Sequence, residues 1–474
     1  MPNTGFARGL KIFAALVLFH FMAAGAMSAV ARTGFMAGHH NGAGLWEFGK
    51  DSYNYHATAA ELAGMLKSGD TGRWLRKDEP FHVKTLSMIY YATTPDPLMF
   101  EPLNALAWAA QVALVYFLVM RLTAGGAGFA GAAALLFGLM PSTLLLSTQL
   151  LKDPFYNLGV LLMGAGWVAL LTNERRFLFV TAPALGAVIC GSIRVEAKLI
   201  IALVAIISLG LIAWRARPAL IHAAAAVALT LMALFGQVAI PAYAQEPDRV
   251  YSVVRANVTE AAYTPQLQSK IARWLETAPW PSVDERRAVL ENLARAHKEG
   301  LEPFMDRFLT QWRYTGWIPR AIEQQIFRAS QYRDSFLTYY ITPDTNTVDS
   351  TILFRDVYDI ARYIPRGAQI GLFSPFPNTW LSDGQGGGRL IRLVGGLETA
   401  FWYAMYIGFM IYLARAGAGA HVKVWLVISV VLFILPLGLF VPNLGTLFRM
   451  RHIYLYPVII GGLEGWRLMT GRKP

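Results

Sequence analysis

Residues Gly128 to Thr172 read GFAGAAALLFGLMPSTLLLSTQLLKDPFYNLGVLLMGAGWVALLT. Two apolar runs, 128–150 and 154–172, flank one charged pair, Lys152-Asp153. Each run is close to the roughly 20 residues that carry a helix across a hydrocarbon core. Pro154 opens the second run, a position where proline is favoured because the first helical N–H has no partner within the helix. The stretch therefore predicts two membrane helices joined by a tight, charged turn.

The pattern repeats in both directions. Further apolar runs cover 12–30, 99–120, 177–193, 197–214, 219–243, 393–414, 423–441 and 452–469. Together they predict an all-α polytopic membrane protein with about ten transmembrane helices. Composition agrees: 55% of residues are hydrophobic and 15% charged, with mean hydropathy +0.39, against roughly 25% charged in soluble domains. A single cysteine, Cys190, excludes an intramolecular disulfide. The net charge of +12 sits largely in loops and beside spans, so it points to orientation signals and lipid phosphates rather than to nucleic acid. Small residues from Ala26 to Ala31 resemble a signal-peptidase site. A retained anchor is expected, because the rest of the chain is membrane-embedded.

Three regions follow: a membrane module over 1–243 with a polar loop at 32–97, a polar segment at 244–392, and a second membrane module over 393–474. With the N-terminus cytoplasmic, the inner connections hold Arg121, Arg175-Arg176, Arg215 with Arg217, and Arg415 with Lys423, and the tail holds Arg467, Arg472 and Lys473. That satisfies the positive-inside rule and puts both polar segments outside. Segment 244–392 is expected to be mainly helical, with candidate helices over 284–297, 304–317 and 352–364 broken by prolines. The glycine run 384–388 lacks the strand-turn-helix setting of a phosphate loop and reads as a link.

With this topology the unusual charges gather on the outer side. Lys152 and Asp153 occupy one turn; Arg194, Glu196 and Lys198 another; Arg449, Arg451 and His452 a third; Glu398 lies near a span end. Asp51 joins them from GKDSYNYHATAAELAGML, residues 49–66, ahead of a helix expected from about Ala57 with Ala60, Leu62, Ala63 and Leu66 inward. Two bland readings compete. Interfacial Lys and Arg snorkel at little cost, and Asp51 or Ser52 serves as a helix cap. Against them, short outer turns carry cations that the positive-inside rule disfavours, mixed with carboxylates. Arginine forks and lysine hold phosphate oxygens, and a carboxylate takes a proton from an attacking hydroxyl. This mix suits group transfer from a lipid phosphate to an acceptor outside the membrane.

The motifs resemble the GT-C class of polytopic glycosyltransferases, nearest to bacterial protein mannosyltransferases, aminoarabinose transferases and Rgt-type lipopolysaccharide transferases. The likeness is carried by Asp51-Ser52-Tyr53 with Tyr55, His56 and Ala59; by Pro141-Ser142 leading to Leu151-Lys152-Asp153; by Ile193-Arg194; and by Asn443-Leu444-Gly445 with Arg449 and Arg451. Ser374-Pro375-Phe376-Pro377 adds to it. It covers residues 8–200 and, loosely, the last three spans. The resemblance implies a bacterial inner-membrane enzyme with both termini cytoplasmic. It implies a polyprenyl-phosphate-linked sugar donor and a glycan, lipid or protein acceptor. Asp51 matches the catalytic base and Asp153 the second catalytic carboxylate, with Lys152 beside it as a phosphate contact, and Tyr55, His56, Arg194, Glu196, Glu398, Arg449 and Arg451 of the loop and the outer charge group are expected as further substrate contacts. No Asp-x-Asp pair is present, so no cofactor or divalent metal is expected. An O-antigen polymerase or ligase using undecaprenyl-pyrophosphate glycans is the alternative, and a transporter or flippase a third. A transporter would be marked by charges at mid-membrane depth.

Overall fold

The computed structural model describes residues 3–77, 79–236, 312–339, 347–349, 352, 354–381 and 388–471. Among them there are helices and no strands. In order these are α1 (Asn3–Arg32), α2 (Asp51–Lys67), α3 (Thr71–Arg76), α4 (Phe81–Ala92), α5 (Glu101–Leu122), α6 (Gly126–Leu139), α7 (Pro141–Ser147), α8 (Asp153–Leu171), α9 (Phe177–Ile193), α10 (Lys198–Arg215), α11 (Leu220–Phe235), α12 (Arg320–Tyr339), α13 (Val357–Phe373), α14 (Gly388–Arg415), α15 (Ala420–Phe440), α16 (Leu444–Tyr454) and α17 (Tyr456–Met469).

Among the described residues seven helices are long and apolar enough to cross a membrane, or eight if the bent pair α6–α7 counts as one span. Two expected runs are interrupted. Run 128–150 bends by 58° between α6 and α7, because Pro141 pushes Met140 into an extended conformation (ψ 138°). Run 452–469 breaks at Leu455, ahead of Pro457, leaving α17 only 14 residues long. Helix α9 has 17 residues, about 26 Å at 1.5 Å per residue. The expected helices over 284–297 and 304–311, the end of run 219–243, the glycines at 384–387 and the basic tail at 472–473 lie outside the described residues. Residues 312–318 are not helical, and the helix expected over 352–364 runs from Val357 to Phe373.

The chain divides into two compact units. The first comprises Met1–Ala242, Phe376–Phe433 and Arg449–Pro474. Helix α8 is its hub and is buried along nearly its whole length against α5, α9 and α10. Glycines allow the close approaches. A Cβ on Gly186 would strike the Gly159 carbonyl, and one on Gly465 the Gly408 carbonyl at the α14–α17 crossing, the small-residue packing expected where helices meet in lipid. Leu199, Leu203 and Ile206 form an exposed stripe at helical spacing on α10, as a lipid-facing surface does. Buried polar links join the helices: Trp108 Nε1 donates to the Gly138 carbonyl at 3.0 Å, Trp425 Nε1 to Ser208 Oγ at 2.8 Å, and Tyr412 Oη to the Leu122 carbonyl at 3.0 Å.

The polar loop after α1 forms its own small core. Leu62, Ala63 and Met65 of α2 pack with Val83, Leu86 and Tyr90 of α4, and with Phe100 and Leu150. The second unit comprises Tyr243–Pro375 and Ile434–Phe448. In it Arg333 is fully buried between the rings of Phe354 and Tyr363, each 5.1 Å away, and donates to the carbonyls of Asp349, Ile352 and Leu439. Asp349 accepts from Tyr363 Oη and Arg366 Nε, both at 2.8 Å.

Candidate functional site

Helix α2 begins at Asp51, six residues before the expected start. Asp51 is therefore the first helical residue and not part of a link. Its N-cap is Lys50, which makes no side-chain capping bond. Ser52 is buried and donates to the Gly49 carbonyl. The cap reading of Asp51 therefore fails, and its carboxylate is used elsewhere.

Arg449 on α16 reaches Asp51 Oδ2 at 2.7 Å with its terminal nitrogen, and its Nε faces Asp153 Oδ2 at 3.5 Å. The other oxygen of Asp153 accepts from Arg194 at 3.0 Å, and the far side of Arg194 lies 3.9 Å from Glu196. Five side chains thus alternate in charge: Asp51, Arg449, Asp153, Arg194, Glu196. The three carboxylates differ sharply in access, and Glu196 at the far end has a 54% exposed side chain. The side chain of Asp51 is 48% exposed and that of Asp153 4%. Arg194 N–H donates to the Cys190 carbonyl and closes α9, and its guanidinium lies over the Tyr156 ring at 5.1 Å. Tyr156 Oη meets Tyr454 Oη at 2.7 Å.

Lys152, beside Asp153, is half-buried and makes no ion pair among the described residues. Burial, then the Arg194 charge, lowers its affinity for a proton. Tyr55 lies one turn after Asp51 on the same face of α2. Burial raises its hydroxyl pKa, and the carboxylates of Asp51 and Asp153 raise it further. Among the described residues Arg194 Nε and Arg449 Nε are buried donors with no hydrogen-bond partner, although Arg449 Nε is in ion-pair range of Asp153.

Other expected site residues go elsewhere. His56 Nδ1 meets Tyr90 Oη at 2.8 Å, on the α2–α4 side of the loop. Arg451 is two residues from Arg449 on one helix, so about 200° of rotation separates them. It is buried and donates to Thr399 Oγ1 at 3.3 Å, while Glu398 on the same α14 accepts from Ser142 N–H at 2.9 Å and from Ser142 Oγ. Arg449 and Arg451 were expected in a turn, and the helix that carries them divides the expected set in two.

Three further residues support the site: His452, already placed beside Arg449 and Arg451 in the sequence, and His82 and Gln149, which no motif marks. His452 donates from Nδ1 to the Arg449 carbonyl at 2.8 Å and accepts from Asn157 Nδ2 at 3.0 Å, which fixes its tautomer. His82 donates to the Leu150 carbonyl at 3.2 Å, packs edge-on to Tyr55 at 4.8 Å, and has a buried Nδ1 with no partner. Gln149 accepts from Trp46 N–H at 2.9 Å and packs against Gly49, where a Cβ would come within 3.0 Å of its side chain. Among the described residues no group of three or more His, Cys, Asp or Glu side chains is arranged to hold a metal ion.

No protein-family model matches the chain, and no curated protein or solved structure matches it either.

Proposed function

We propose that the protein is a membrane glycosyltransferase that moves a sugar from a polyprenyl-phosphate donor to a hydroxyl of an extracytoplasmic glycan, lipid or protein. The supporting observation is the alternating chain from Asp51 to Glu196, in which Arg449 joins the accessible carboxylate of Asp51 to the buried Asp153, and Lys152, which makes no ion pair among the described residues, precedes Asp153. Asp51 Oδ1, the oxygen that Arg449 leaves alone, accepts the acceptor's proton as its oxygen bonds to the anomeric carbon. The bond from that carbon to the phosphate oxygen breaks, and its electron pair leaves with the lipid phosphate. Lys152 and Arg194 Nε stabilise that charge. Asp153 is the buried counter-ion that orients Arg194 and Arg449.

Charge balance favours this reading over an oligosaccharide pyrophosphate donor. Asp51, Asp153 and Glu196 balance Arg194, Arg449 and Lys152, so the cluster is neutral, and a phosphodiester brings one negative charge where a pyrophosphate brings two. In the proposed topology, α6–α7 together, α9, and α16–α17 together join the seven long helices as short or broken spans, for a total of about ten. Both termini are then cytoplasmic and the cluster is outside, as the basic inner loops require.

The experiment is transfer from radiolabelled polyprenyl-phosphate sugars in membranes. Asp51→Asn should express normally and lose about 10²–10⁴ in rate, the usual contribution of a general base. Wild-type turnover in folded Asp51→Asn would remove Asp51 from the chemistry.

A further inference from the structure

A second buried cluster lies inside the spans. His20, halfway along α1, places Nδ1 2.6 Å from Glu101 Oε1 of α5 and Nε2 2.6 Å from Ser147 Oγ of α7. All three side chains are at most 2% exposed. From α5, the Trp108 ring lies tilted against the imidazole at 5.1 Å. Among the described residues no other charged side chain pairs with His20 or Glu101. An ionisable group within a span is expensive unless it has a task.

Two protonation patterns fill these contacts. In one, Ser147 donates to Nε2 and neutral His20 donates to an ionised Glu101, which leaves a net negative charge among apolar helices. In the other, Ser147 gives its only proton to the Leu144 carbonyl, 2.7 Å away. Nε2 is then the donor to Ser147, and a second proton lies between Nδ1 and Oε1. That pattern uses the Leu144 contact and leaves no net charge, the condition under which buried ions are tolerated.

The cluster is wired to both halves of the candidate site. Ser147 ends α7, and the next residues run directly into Lys152 and Asp153. Asn104, one turn after Glu101 on α5, donates to the Gln149 carbonyl at 3.1 Å. Gln149 in turn holds Trp46 N–H and packs on Gly49, and the Gly49 carbonyl accepts from Ser52, next to Asp51. We propose that Glu101 holds one additional proton, shared with Nδ1 of His20, as a buried ligand, and that this proton keeps the Asp51 helix and the Asp153 turn in place. His20 and Glu101 are positioning residues. The inference concerns the site's geometry and stands whichever reaction the site performs.

The test needs no donor. Ser52→Cys provides a buried thiol beside Asp51, and the buried native Cys190 serves as an internal control for global unfolding. Maleimide labelling is followed from neutral to alkaline pH in the full-length protein and normalised to a free thiol at each pH. Loss of the proton returns the buried negative charge, so labelling of Cys at position 52 should rise about tenfold, the response to an opening made ~1.4 kcal/mol easier, with Cys190 still protected. Glu101→Gln donates to Nδ1 without a titrating proton and should abolish the step. An identical pH response with and without Glu101, or none in either, overturns the proposal. If Cys190 opens at the same pH, infrared difference spectra decide. A carboxyl or imidazolium change lost in Glu101→Gln supports the bound proton, and an unchanged spectrum refutes it.

Discussion

Arg449 contacts Asp51 at 2.7 Å and Asp153 at 3.5 Å with different nitrogens of one guanidinium. The two contacts are unequal in burial, and their energetics should be unequal too. The pair with half-exposed Asp51 is screened and is worth about 0.2–1 kcal/mol. Removing the arginine leaves Asp153 with a reduced set of counter-ions inside the protein, where an uncompensated charge costs roughly 3–5 kcal/mol. Asp51→Asn should therefore barely move the thermal midpoint in detergent, whereas Arg449→Gln should lower it by several degrees. Equal shifts would mean that the contact with Asp153 adds nothing, since Arg449→Gln removes both contacts and Asp51→Asn only one.

Asp153→Asn sharpens the contrast between the two carboxylates. The substitution preserves shape but leaves Arg194 and Arg449 facing each other without the anion between them. A loss of about 3–5 kcal/mol is expected, seen as poor yield and a low midpoint. Double replacement with Arg194→Gln should recover part of it, because the stranded cation is removed as well. A fully folded Asp153→Asn protein with normal stability would show that Asp153 is not the counter-ion of this cluster.

How far the sequence carried depends on what each feature rests on. The apolar runs are long enough that most of their helices were legible, though not their exact ends, and the breaks occur at Pro141 and ahead of Pro457, where local chemistry interrupts an otherwise continuous run. Asp51, Lys152, Asp153, Arg194 and Arg449 were also legible, because charge in short turns between spans is conspicuous. The separation of Arg451 and Glu398 from them was not. It depends on residues 444–454 being helical, and NLGTLFRMRH has too few apolar residues to announce a helix. The start of α2 at Asp51 was hidden for a similar reason: the first turn, DSYN, carries little apolar periodicity. Had that start been known, the four-residue spacing of Asp51 and Tyr55 would have placed them on one face. His20 and Glu101 were visible as ionisable residues in apolar runs, and that signal could have found them.

His82 offers a pH test of the loop core. Burial pushes its pKa down to about 4 from 6.5, against the opposing effect of its bond to the Leu150 carbonyl. The unfolded chain therefore binds more protons than the folded one between these values. Stability is full above pH 6.5 and falls as the pH drops towards 4, by at most about 3 kcal/mol at 1.36 kcal/mol per unit. His82→Gln keeps a donor for the Leu150 carbonyl and does not titrate. Thermal midpoints of the two proteins should converge at low pH and separate in favour of the native protein near neutrality. Parallel acid limbs would mean that His82 does not control this window.

Lys152 is the residue for which stability and function should conflict. Its ammonium is half-buried, makes no ion pair among the described residues, and is made easier to deprotonate by burial and by the neighbouring Arg194 charge. A cation kept under these conditions destabilises the free protein, and a bound phosphate would relieve that. Lys152→Met retains the apolar stem and removes the charge, so it should stabilise the ligand-free protein by about 1 kcal/mol, the low end of what an unpartnered buried polar group costs. The same change should remove the thermal stabilisation that a short-chain polyprenyl phosphate confers on the native protein, which grows with ligand concentration above Kd. Midpoints measured with and without that lipid, with the corresponding polyprenol as the uncharged control, separate the two effects. A Lys152→Met protein that is less stable when free, or that responds to the phosphate as the native protein does, would place the anion-binding cation elsewhere.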